Sequence, residues 1–112
     1  MRFIFDCEDE VLLPFLYDFS EDVSSFLSKT KLLKIRKNRD EGLDVKEQGK
    51  KNIKAMLKRV CKEYPADTGK LLAKMWVLDE GETAPNAIVT LGKVLTNKQV
   101  IDFFTSLMAL AS

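Results

Sequence analysis

The sequence predicts an all-α fold: a single compact bundle of four to six helices, preceded by an irregular N-terminal segment. Three observations lead there. Between residues 44 and 111 the apolar side chains recur at intervals of three and four, the period of a helix buried along one face. No alternating run of β-branched and aromatic residues is bounded by Asn-Gly or Asp-Gly, so hairpins have no signal. The 112 residues, 46% hydrophobic and 31% charged, suffice for one core and not for two of ordinary size. Residues 1–112 are therefore read as one helical domain.

Taken in order, the N-terminal third is the least regular. Pro14 is placed to open a short helix holding Phe15, Leu16 and Phe19, and Ser20 to cap a second holding Val23, Phe26 and Leu27. From Lys31 to Gly42, Leu32, Leu33 and Ile35 stand among seven charges, which reads as a fading helix or an exposed connector. The strongest pattern follows. Over Asp44 to Tyr64 the apolar residues Ile53, Met56, Leu57, Val60, Cys61 and Tyr64 share one helical face, and Asp44 with Glu47 resembles a capping box. Pro65 ends that helix and opens the next, which runs to about Leu78 and offers Leu71, Leu72, Met75 and Trp76 to the core. Asp79 to Glu82 form a loop. Thr83 is the expected cap of a further helix with Pro85 in its first turn and Ala87, Ile88, Leu91, Val94 and Leu95 facing inward. Thr96 and Gln99 have capping-box spacing for a last helix over Asn97 to Ala111. Its apolar residues, from Val100 and Ile101 to Leu110 and Ala111, fill about half the wheel, leaving Asp102, Thr105, Ser106, Ala109 and Ser112 opposite.

Much chemistry is excluded by what the chain lacks. Without histidine it has no imidazole base, no Ser-His or Cys-His pair and no imidazole metal site. Cys7 and Cys61 lie far apart without a C-x-x-C motif and read as reduced core thiols. Asp6, Glu8, Asp9 and Glu10 lack EF-hand spacing and read as a solvated helix start. Ser28 and Lys31 match S-x-x-K without its companion motifs, and Gly92-Lys93 lacks the rest of a phosphate loop. No cofactor is expected. Acids arrive before any apolar run at the N-terminus, and the stretch Val100 to Ala111 is too short to span a bilayer, so neither secretion nor a membrane is expected.

Charge is unevenly spread beneath a net +1. Residues 1–28 hold one base and seven acids, residues 29–63 thirteen bases and five acids, and residues 64–112 four bases and five acids. Within the basic segment Lys51, Lys54, Lys58 and Lys62 form an edge stripe about 16 Å long on the predicted helix. Such a stripe serves as a solvated face, as a dock for an acidic protein, or as a phosphate track. The absence of interleaved aromatics speaks against nucleic acid. The terminal cluster Phe103, Phe104, Leu107 and Met108 reads either as core or as an anchor for an apolar partner helix, which leaves room for a second copy of the chain as well.

The block from Lys50-Lys51-Asn52-Ile53 through Glu63-Tyr64-Pro65-Ala66 and Leu71-Leu72-Ala73-Lys74-Met75-Trp76 resembles small tail assembly chaperones of long-tailed phages and prophages of Gram-positive bacteria. The closing Val100-Ile101-Asp102-Phe103-Phe104 is similar to their terminal helix. The resemblance covers about residues 44–112. It implies a helical, non-enzymatic protein of the host bacterial cytoplasm that coats the tape-measure protein and brings tail-tube subunits to it. It also implies that a ribosomal frameshift often extends such a chain. The alternative drawn from charge is a small helical nucleic-acid-binding regulator using residues 29–63.

Overall fold

The computed structural model describes residues 1–111; Ser112 and the side chain of Ala111 lie outside the described residues. Six α-helices form among them: α1 (Asp9–Thr30), α2 (Leu32–Arg36), α3 (Val45–Lys58), α4 (Pro65–Ala73), α5 (Ala87–Thr96) and α6 (Lys98–Ala111). The expected all-α bundle is present. It is elongated, with principal extents of 53 × 26 × 24 Å.

The irregular N-terminal segment is the heart of the core rather than its fringe. Arg2–Phe3 (β1) pairs antiparallel with Trp76–Val77 (β2), with Arg2 opposite Val77 and Phe3 opposite Trp76. A single 3₁₀ turn over Ile4–Asp6 follows, and Phe3, Ile4, Phe5 and Cys7 are all buried. Phe5 meets Phe103 of α6 at 5.6 Å between ring centroids, and Phe19 of α1 meets Phe104 edge-on at 6.0 Å. Offset and edge-on pairs of this kind add about 0.5–1.5 kcal/mol each beyond their buried area.

Two short helices were expected where α1 is continuous. Leu12, Phe15, Phe19, Val23 and Leu27 follow at steps of three and four, so one stripe crosses both expected pieces and packing keeps them together. Pro14 lies in the second turn, where its missing N–H leaves only the exposed Glu10 carbonyl unserved. Ser20 caps nothing; its hydroxyl donates to the Tyr17 carbonyl at 2.8 Å. α1 ends at Lys31, which adopts the left-handed conformation at φ 57° and starts α2 at once.

Downstream, four expectations need correction. The helix opened by Pro65 stops at Ala73 instead of Leu78, because Met75 is fully buried and its carbonyl accepts from the Ile4 N–H at 2.8 Å, drawing Trp76 and Val77 into the sheet. Thr83 and Pro85 precede α5, which Asn86 caps through its side chain to the Val89 N–H at 3.1 Å. The inward face of α5 is Thr90, Leu91 and Val94, while Ala87, Ile88 and Leu95 are exposed. Thr90 accepts the Trp76 indole N–H at 2.8 Å, and that bond turns the helix by part of a step. Finally, Asn97 serves as the cap of α6, accepting from Gln99 and Val100, whereas the Thr96 hydroxyl donates to Gly92.

α3 begins as expected, with the Asp44 carboxylate accepting from the Glu47 N–H at 2.8 Å. Its last turn widens into a π-helical segment over Arg59–Glu63, closed by Tyr64 N–H to the Arg59 carbonyl at 3.0 Å. The widening commits the Tyr64 donor to Arg59, and Pro65 has none, so the Val60 carbonyl loses both helical partners. The Thr68 hydroxyl of α4 supplies one at 2.7 Å. Cys61 lies on the outer side of this segment and is exposed, so the expectation of two core thiols holds for Cys7 alone.

Candidate functional site

An apolar groove of about 280 Å³ opens between α1, α3, α5 and α6. Its floor is made by Val23 and Leu27 of α1, and its walls by Met56 of α3, Val60 of the π segment, Val94 of α5, and Phe104 and Met108 of α6. Almost every atom facing it is carbon. Along the rim Leu57, Leu95 and Ile101 are 41%, 58% and 42% exposed, so three large aliphatic side chains stand in water around a concave apolar surface.

The sequence-chosen apolar cluster divides at this groove. Phe104 and Met108 line it, while Phe103 turns toward Phe5 and Phe19, and Leu107 packs on the core outside the groove lining. All four are half-buried. Periodicity places Leu57 and Leu95 on inward faces, and both stand exposed on the rim instead. No sequence signal singles them out: Met56-Leu57, Val94-Leu95 and Val100-Ile101 are adjacent apolar doublets whose second member stands on the rim, yet both members of Phe26-Leu27 and of Leu71-Leu72 pack on the core.

The lysine stripe also divides. Lys51 turns toward α2 and pairs with Asp40 at 2.8 Å. Lys54 and Lys58 stand on the outer crest of α3, beside Leu57 on the helical wheel, and have no ion-pair partner among the described residues. Lys62 follows on the π segment and is exposed. The crest therefore gives the groove one positively charged margin.

On the side of α3 facing α2, polar residues do the holding. Gln48 and Asn52 are buried and bonded to each other at 2.8 Å. The Asn52 amide donates to the carbonyls of Arg36 and Asn38, and the Gln48 side chain accepts from the Asp40 N–H and donates to its carboxylate. Lys51, and after it Gln48, hold the Asp40 carboxyl below its ordinary pKa by bonding the charged form. Every buried polar side-chain atom among the described residues has a partner.

No group of three potential metal ligands forms among the described residues, and no helix there is long and apolar enough to cross a membrane. The chain matches no family model, and neither a curated protein nor a solved structure is significantly similar to it.

Proposed function

We propose that this chain is a non-enzymatic phage tail assembly chaperone. It acts in the host bacterial cytoplasm, holding amphipathic helical stretches of a tape-measure protein in the groove and helping recruit tail-tube subunits. The groove with its exposed aliphatic rim carries this reading, together with the family resemblance of residues 44–112. The occupant is one amphipathic helix with acidic residues along one edge. Its apolar stripe would cover Leu57, Leu95 and Ile101, and its carboxylates would meet Lys54 and Lys58, which have no ion-pair partner among the described residues.

Co-expression with a tape-measure protein tests it. The expected outcome is a rise in that protein's soluble fraction and co-purification of the two. The Leu57→Glu, Ile101→Glu double variant, altered only at exposed positions, loses co-purification by about tenfold or more with helical content unchanged. Unaltered tape-measure solubility would count against the reading.

A second reading, a nucleic-acid-binding regulator, draws on the excess of bases over residues 29–63 and on Lys54 and Lys58, which have no ion-pair partner among the described residues. Binding to duplex DNA that falls steeply with added salt supports it, and no binding at low salt removes it.

A further inference from the structure

On the α2-facing side of α3, next to the face that lines the groove, lies a second cleft, of about 390 Å³. Lys31, Lys34, Lys51 and Arg59 line it together with an apolar wall of Ile35 and Ala55. Two of the four cations are already spoken for: Lys51 pairs with Asp40, and the Arg59 guanidinium pairs with Glu63 while donating to the Thr30 carbonyl. Lys31 and Lys34 have no ion-pair partner among the described residues. The cleft thus carries two uncompensated positive charges next to a carbon surface.

The backbone adds an independent observation. Lys31 is the one non-glycine residue at positive φ among the described residues, at φ 57° and ψ 33°. A left-handed break between two helices favours glycine, which has no Cβ to strain. The turn by itself gives no reason for lysine. A charge held over the cleft does.

We propose that this cleft binds a small organic phosphate monoester, the dianion lying between Lys31 and Lys34 and the carbon body against Ile35 and Ala55. Its volume falls within the range of small-molecule sites. A nucleic-acid track would have to be continuous, yet Lys54 and Lys58 lie on the crest of α3, outside the cleft lining. The site is separate from the groove and stands whether or not the chaperone reading does.

The test is a titration of the full chain with phenyl phosphate, followed by calorimetry and amide resonances. Saturable binding at about 1 mM or tighter is expected, with shifts centred on Ile35 and Ala55, and weaker binding of inorganic phosphate, which lacks a body for the wall. Lys34→Ala weakens binding about tenfold, and Lys46→Ala, outside the cleft, leaves it unchanged. Lys31→Gly is the sharper variant: it relieves the left-handed backbone and removes the charge, so the melting temperature rises while phosphate affinity falls. A Lys31→Gly variant that raises the melting temperature and leaves phosphate affinity alone would overturn the proposal. So would failure to saturate in the millimolar range. Tighter, steeply salt-dependent binding of a single-stranded oligonucleotide with the same Lys34→Ala sensitivity would also overturn it, by making the cleft part of a nucleic-acid surface.

Discussion

α1 and α3 are both long amphipathic helices, yet they meet the rest of the molecule in opposite ways. α1 places Phe19 and Val23 at 1% exposure, with Phe19 against Phe103 and Phe104 and the N-terminal 3₁₀ turn packed on the helix. α3 fully buries no apolar side chain; its buried residues are Gln48 and Asn52, and its apolar face is left as one wall of an open groove. A helical repeat reports that a face requires cover, and it is silent on whether the same chain provides it. In α1 the cover is intramolecular. In α3 part of it is missing, and the groove stays open.

Truncation should separate the two helices most sharply at their apolar positions. Phe19→Ala removes a ring stacked on Phe15 at 4.9 Å and enclosed on every side, so a loss of about 3–5 kcal/mol in denaturant unfolding is expected. Leu57→Ala, at a rim position already in water, should cost under about 1 kcal/mol in the same measurement. Equal losses would mean that the groove closes in solution and that the contrast is false.

Between these extremes falls Asn52→Ala. It takes away the amide serving the Arg36 and Asn38 carbonyls and the acceptor of Gln48, with an expected cost of about 1–2 kcal/mol. Hydrogen exchange should show the loss concentrated in α2 and the first half of α3, with α1 protected as before. Uniform loss across both helices would argue that the polar clasp and the apolar core unfold as one unit. Thiol labelling sharpens the contrast at little cost in stability: Cys61 should react quickly in the native state and Cys7, bonded to the Phe3 carbonyl and buried, only on opening.

The helices themselves were largely legible, since Asp44, Pro65 and the apolar spacing of residues 97–111 all mark real boundaries. What escaped was decided by contacts distant in sequence. Nothing near Met75 announces that Ile4 will take its carbonyl and convert the end of a helix into a strand. Nothing near Thr90 announces a Trp76 indole. At the candidate groove, two members of the expected apolar cluster, Phe104 and Met108, belong to the lining. The rim residues were hidden because periodicity assigns a residue to a face and cannot tell a covered face from an open one. Gln48 and Asn52 were invisible for a related reason: a buried amide looks like a surface amide until its partners, here Asp40 and the carbonyls of residues 36 and 38, are brought together by the fold.

The smallest expected effect concerns acid, and it tests whether the two regions are energetically separate. Asp40 has a folded pKa below its ordinary value because Lys51 and Gln48 bond its charged form. A depressed carboxyl contributes stability that is complete above the unfolded value, near 3.9, and is lost as pH falls through the folded one. Acidification should therefore loosen the α2–α3 clasp first. The Gln48 and Asn52 side-chain amide resonances should shift in that acid range while the Trp76 indole proton, bonded to Thr90 in the core, stays in place. Asp40→Asn keeps an acceptor for Gln48 but no charge for Lys51, and it should flatten the acid response of the clasp at a small cost near neutrality, where an exposed ion pair contributes little. If the indole and the amides move together in both proteins, α3 is bound to the core more tightly than its surface contacts imply. The groove would then be rigid, with no freedom to adjust to the helix proposed to occupy it.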